Sequence, residues 1–326
     1  MYNSDDAISV VEAPSHARTQ PVLLWAGTGA VFLLTQVYVY VSWLRSADFR
    51  PTAPGSDPVP GTVLTIIHVY EVINTVIAGL ALAWFVWGIV RTRQIDSIRL
   101  LMVGWLSAYW LDPWLNFLRP MFTYNAYAVN FGCWCEFIPG WQSANGARIA
   151  EPLLIDPSAY FYNFAGVAAL ALWAMQRTLR RWPEASMWRL GLSGFAAIWV
   201  SMGILDIVAT RYMGFDAWPI AFQRVSFWGG HYYQFPIYEF ILFPSTFVAC
   251  AFILLCKNIR GETLIERGVQ QIRSSGLRTL LRVLAFVAFC NLANLTYTTA
   301  MGLHAVVADG WPKDMPSWLS DEQVAR

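Results

Sequence analysis

Residues 62 to 90 read TVLTIIHVYEVINTVIAGLALAWFVWGIV, 29 residues with no Lys, Arg or Asp and a single Glu, Glu71, beside a single His, His68. Coiled as an α-helix, such a run is about 43 Å long and exceeds the roughly 30 Å hydrocarbon core of a bilayer. Working outward, six further apolar runs of similar character fall at 21 to 44, 98 to 118, 159 to 179, 187 to 212, 236 to 256 and 279 to 304. They are continuous and far longer than the alternating 9 to 11 residues of a barrel strand, so helices are expected and not sheet. Gly27 and Gly29, Ala78 and Gly79, and Gly191 and Gly194 supply the small side chains that let helices approach closely in lipid. The fold class expected is all-α: a polytopic membrane bundle of about seven transmembrane helices.

The 326-residue chain is 56% hydrophobic, 13% charged and 16% aromatic, with 17 Trp, which suits a protein whose rings sit at two membrane interfaces. A net charge of +1 leaves no basic excess to neutralise phosphates, so no nucleic-acid partner is expected. Five cysteines give no disulfide framework, and the Cys133-x-Cys135 spacing has too few partners for a metal or redox motif. The N-terminus is acidic and polar, unlike a cleaved signal peptide, so the first apolar helix is expected to be retained. The organisation predicted is a flexible tail over 1 to 20, a bundle over 21 to 304 and a C-terminal tail over 305 to 326.

Basic residues sort by loop. Arg91, Arg93 and Arg99, then Arg177, Arg180, Arg181 and Arg189, then Lys257, Arg260, Arg267, Arg273, Arg278 and Arg282, with Arg18, put 14 of 22 cations on one side. The positive-inside rule makes that side, and the N-terminus, cytoplasmic in a plasma-membrane protein. Between Lys257 and Arg278 the sequence GETLIERGVQQIRSSG predicts a short amphipathic segment lying on the surface. On the outer side, loops 119 to 158 and 213 to 235 are long and rich in rings, Phe122, Tyr124, Trp134 and Trp218 among them. That much apolar ring area predicts ordered caps over the bundle.

Ionisable side chains inside a span cost roughly 2.5–3.5 kcal/mol at its centre on insertion scales, so each asks for a reason. With spans two and three in opposite senses, His68, Glu71 and Asn74 fall at the outer end of one and Tyr109, Asp112 and Asn116 at that of the other. Asp206 and Arg211 lie in the outer half of span five; His231 and Glu239 open span six; Asn291, Asn294, Tyr297 and His304 close span seven. Five helices thus bring polar groups to one depth. The acid candidates are Glu71 and Asp112, the complementary bases His231 and Glu239, and the substrate-binding candidates His68, Tyr109, Asn116, Asp206, Tyr233 and Asn294.

Bland readings stand beside these. His68 and Glu71 can sit at headgroup depth in water, Asp112 can pair with Arg119, Asp206 can pair with Arg211 or Arg224, and His231 can be an interface residue. Glu151 and Asp156 each precede proline and read as turn formers. Three His at one depth make a weak metal pattern without the repeated Glu-x-x-His pairs of di-iron bundles, so no metal ligand set and no cofactor are assigned. Neither Lys257 nor Lys313 lies within a span, which disfavours a retinal Schiff base.

YWLDPWLNFLRPMFTYNAYAVNFGCW (109 to 134), PGW (139 to 141), EPLL (151 to 154), YFYNF (160 to 164) and HYYQFPIYEF (231 to 240) resemble the actinobacterial spirocyclases of the avermectin type, the AveC-like family. The resemblance covers residues 60 to 250. It implies an integral membrane enzyme that closes a dihydroxy ketone polyketide, a hydrophobic small molecule, to a spiroketal with loss of water, a reaction whose acid–base chemistry needs no cofactor. It brings no catalytic residues with it. Two carboxyls of separated pKa suffice for such chemistry. Two rival readings remain open: a carrier or transporter of a lipid or hydrophobic metabolite, and a metal-dependent membrane oxygenase. A structural subunit with its loops covered by a partner is a third. The oligomeric state is not legible, and membrane lipid is the one other partner expected.

Overall fold

The computed structural model describes residues 20–320 and the short strand Ile8–Ser9. The expected N-terminal tail with Arg18, and residues 321–326 of the expected C-terminal tail, otherwise lie outside the described residues. The fold is all-α, with helices α1 Pro21–Leu44, α2 Gly61–Thr92, α3 Ser97–Ala108, α4 Asp156–Arg181, α5 Met187–Met213, α6 Glu239–Leu255 and α7 Ser275–His304. Local chemistry sets the ends. Pro21 occupies the first turn of α1, where a missing N–H costs nothing; Asp96 and Ser274 cap α3 and α7 by accepting from the backbone N–H of Arg99 and Leu277.

Five of the seven, α1, α2, α4, α5 and α7, are long and apolar enough to cross a membrane, fewer than the seven spans expected. The run 98 to 118 stays α-helical only to Ala108. It then tightens into a 3-10 turn, Tyr109–Asn116, around Pro113, which has no N–H to continue the ladder. The run 236 to 256 is shortened because Phe235–Pro236 pairs with Ser226–Phe227 as a two-residue ribbon, leaving α6 with 17 residues.

α7 is the hub. Gly29 of α1 lies against the Leu284 carbonyl, and a Cβ on Gly104 of α3 would stand 2.7 Å from the Phe286 carbonyl oxygen. Glycine is required at both approaches because the neighbour is backbone and cannot step aside. Trp105, Phe247, Phe286 and Ile198 fill the interior. α2 stands apart, burying only Ile67, Glu71, Asn74 and Gly88. Its C-terminal half is held by Arg99, whose Nε and Nη2 donate to the Phe85 and Trp84 carbonyls at 3.1 Å while the guanidinium covers the Trp84 ring. Leu24, Leu34, Leu80 and Trp87 leave the outer faces of α1 and α2 apolar and exposed.

Above α3, α4 and α5 lies a cap. Thr123–Tyr124 pairs antiparallel with Asp216–Ala217, which locks the two long loops together. Trp134 donates to the Trp110 carbonyl at 2.7 Å and packs on Tyr40, Trp43 and Tyr109. Cys133 and Cys135 are bonded to one another, a pairing that the odd cysteine count and one-residue spacing did not suggest. Loop 119 to 158 is shorter than expected, since Asp156 already begins α4. Residues 305–320 return to the cap, where Trp318 and Leu319 are buried with Ala217. On the far side, residues 256–274 fold into the bundle with several side chains buried, where a surface-lying amphipathic segment was expected. Thr263 and Glu266 make a capping box, Ile265 and Val269 are buried, and Arg282 reaches Glu266 at 2.6 Å.

Two irregular turns lie next to the cap. Ala159–Asn163 in α4 and Ala209–Met213 at the end of α5 are π-helical, and such turns are frequent at functional sites.

Candidate functional site

Between α2, α4, α5 and α6, roofed by the cap, is a cavity of ≈ 350 Å³, within the range of small-molecule sites. Trp105, Phe164, Phe215, Trp218 and Phe235 supply apolar walls. Set into them are five carboxyls, Asp112, Asp156, Asp206, Asp216 and Glu239, and among the described residues no Lys, Arg or His shares the lining.

Asp112 projects from the 3-10 turn that Pro113 creates. Its two oxygens accept hydrogen bonds from the Tyr160 hydroxyl at 2.8 Å and the Tyr124 hydroxyl at 3.0 Å. Tyr160 is oriented in turn by Asn294, which donates to its hydroxyl at 3.2 Å and to the Ala108 carbonyl at 3.1 Å. Tyr124 is placed by the strand pairing that also sets Asp216 beside it, and Asp216 accepts from Thr210. Behind Asp112 lies Glu151, buried, with neither oxygen receiving a hydrogen bond from the described residues; one oxygen of Asp156 is likewise unbonded. Asp112, Glu151 and Asp156 bring carboxylate oxygens within 4.8 Å of one another. Three like charges at that spacing in a dry site cannot all ionise without a compensating proton or cation.

Burial pushes the Glu151 carboxyl well above the usual carboxylate range, and the neighbouring Asp112 and Asp156 charges push it further. Burial raises Asp216 to about 7, with the Thr210 hydrogen bond acting against it. Burial likewise holds the Tyr124 phenol well above its ordinary value, so it is a donor and not a phenolate. Glu239 accepts from the Tyr297 hydroxyl at 2.6 Å through one oxygen, and its other oxygen has no hydrogen-bond partner among the described residues.

Asn74 and Tyr297 line this cavity, and with them four of the catalytic and substrate-binding candidates, Asp112, Glu239, Asp206 and Asn294. The others lie elsewhere. Glu71 is buried but accepts from the Val129 N–H at 2.6 Å and faces His68 Nδ1 at 3.2 Å, so it anchors the cap loop to α2 while His68 points outward. His231 pairs with Asp314 at 3.0 Å in the cap and stacks on Tyr233, whose face also carries the Arg211 guanidinium at 3.6 Å. No ion pair joins Arg211 to Asp206 among the described residues. Arg119 donates to the Ala305 carbonyl and leaves Asp112 to its tyrosines. Asn116 accepts from the Phe122 N–H and shapes a turn; Tyr109 packs against Trp134 and Tyr160.

Glu151 and Asp156, read from sequence as turn formers, are central here. One signal links them to Asp112: each is followed by proline, at 113, 152 and 157. Proline restricts the residue before it and withholds the N–H that would satisfy the side chain locally. Asp57 shares that pattern yet bonds Ser317 in the cap, so the signal is not specific.

The spirocyclase AveC-like family matches residues 90–320, and the chain belongs to that family. The match spans α3 to the cap-docked C-terminal segment and includes every carboxyl of the cavity. No curated protein and no solved structure matches the chain.

Proposed function

We propose that the protein is an integral membrane cyclase of the cell membrane, N-terminus inside and cap outside, which closes a hydrophobic dihydroxy ketone of polyketide type to a spiroketal with loss of water. The observation that carries this reading is an apolar cavity lined, among the described residues, by five carboxyls and no basic side chain. Such a site favours protons and carbocationic character over anions. The bond between Cys133 and Cys135 supports an outward cap, because disulfides persist in oxidising compartments.

The reaction starts with addition of one substrate hydroxyl to the ketone, giving a hemiketal. Asp112, drawing its proton from the cluster it shares with Glu151 and Asp156, protonates the hemiketal hydroxyl, which leaves as water. The resulting oxocarbenium ion lies between aromatic faces and residual carboxylate charge. The second hydroxyl attacks it, and Glu239, steadied by Tyr297, accepts the released proton. One proton is given and one taken, so the site resets by a transfer between carboxyls.

Incubation of the purified protein with a long-chain dihydroxy ketone, followed by mass spectrometry, tests this: the expected product is lighter by one water. Asp112→Asn removes the donor, and loss of general acid catalysis typically costs about 10²–10⁴-fold in rate. Binding without conversion would instead make the protein a carrier. A second reading is favoured by the same 4.8 Å cluster: a hard divalent cation held by Asp112, Glu151 and Asp156 in place of shared protons. The all-oxygen donor set lacks the two His of non-haem iron oxygenases, which argues against oxygenase chemistry. Activity that survives EDTA supports the proton reading; activity lost to EDTA and restored by Mg²⁺ or Mn²⁺ supports the cation.

A further inference from the structure

Among the described residues that line the cavity, those of the cap wall, Tyr124, Phe215, Trp218 and Phe235, are buried, and Phe122 is half-buried. Four lining residues are exposed, and all four lie on two helices: Ile73 (49%) and Ile77 (39%) of α2, Leu205 (56%) and Val208 (37%) of α5. The cavity therefore meets the outside of the bundle along an apolar slit between α2 and α5, while these cap residues wall it from above. The slit exists because α2 leans on the bundle near Glu71 and Asn74 and again where Arg99 grips Trp84 and Phe85, with its other faces left open. At its inner edge Tyr162 of α4 donates to Asn74 Oδ1 at 2.7 Å, the polar contact that ties α2 to α4 beside the opening.

We infer that substrate enters laterally from the bilayer, between α2 and α5, and that Ile73, Ile77, Leu205 and Val208 select for a long apolar chain. This rests on the cyclase reading for the identity of the oxygenated end and on the apolar helices for the membrane. Four branched aliphatic side chains at a membrane-facing opening offer nothing to a hydrated molecule. They offer continuous dispersion contact to an alkyl chain already in lipid, which crosses the slit without first entering water. The ≈ 350 Å³ cavity holds the reacting end, and the remainder of the chain lies in the slit.

The test is photolabelling in phosphatidylcholine vesicles with a long-chain dihydroxy ketone carrying a diazirine near the end of its alkyl tail. Peptide mass spectrometry is expected to find tail adducts at residues 73–77 and 205–208. In the double variant Ile77→Trp, Leu205→Trp, labelling at the remaining slit positions is expected to fall about tenfold. Adducts confined to cap residues 119–155 or 214–235 would overturn the inference. So would adducts on the second groove (≈ 410 Å³) at Leu242 and Leu292, unaltered labelling of the double variant, or no adduct at either slit segment. Labelling does not need turnover. Slit adducts without loss of water leave lateral entry standing and remove the cyclase reading; loss of water with cap adducts does the reverse.

Discussion

Asp112 is held by two phenols that must both donate to it, and this makes the tyrosines as testable as the acid. Tyr160→Phe is expected to lower kcat by about 10-fold or more while the protein still binds substrate, because a hydrogen bond to a charged group contributes about 1.5–3 kcal/mol. Glu71→Leu should separate from this: it leaves the Val129 N–H without its acceptor, with a cost of about 1–3 kcal/mol in thermal unfolding, and leaves the dehydration rate per folded molecule in place. Asp216 links stability to pH. Its folded pKa of about 7 lies above the unfolded value near 3.9, so the folded protein binds the extra proton between them. Stability is highest at the acid end of that window and falls as pH rises through 7, by up to about 4 kcal/mol. Melting in detergent at pH 5.5 and 8.0 checks the sign, and Asp216→Asn should flatten the difference.

At the scale of the element, the helices were legible because a long apolar run has few other solutions, and Asp112 and Glu239 were legible because a carboxyl beneath an aromatic loop is costly and conspicuous. Glu151 and Asp156 were not. Their neighbours are prolines and their chain segment is a loop, so local chemistry points to turns; only the return of that loop to the bundle brings them to Asp112. Glu71 misled for the opposite reason: helix spacing correctly set it with His68 and Asn74, but its partner is a backbone amide of the cap. The shortening of α3 and α6 follows from prolines 113 and 236, whose effect on length depends on which ribbon or turn takes over. Close approach gives a further test. Gly29→Val would drive a side chain into the Leu284 carbonyl and cost about 1–3 kcal/mol, seen as a lower unfolding temperature and a weakened α1–α7 contact.

For the whole molecule, the cap and its C-terminal strap behave as one roof. Trp318→Ala is expected to cost about 3–5 kcal/mol and to open the loops near Asn125 and Ala217 to limited proteolysis, since Trp318 packs beneath Tyr232 and its carbonyl accepts from Ala126. Sidedness is checked on intact cells. A membrane-impermeant maleimide should label a cysteine placed at the exposed cap position Glu136 (Glu136→Cys) beyond the level seen with the parent chain; labelling only after the cells are broken open would place the cap inside.

The π turn at Ala159–Asn163 carries one residue more than a regular helical turn would hold. Each residue of α-helix rotates the chain by about 100°, so excising one there would let α4 run straight and keep a span of nearly the same length. It would also swing Asp156 and its N-terminal neighbours about a quarter turn away from Phe164, taking them out of the acid cluster. Among descendants of a common ancestor, a one-residue gap at this place therefore divides chains that inherited the chemistry from chains that kept only the scaffold, even where every apolar run aligns.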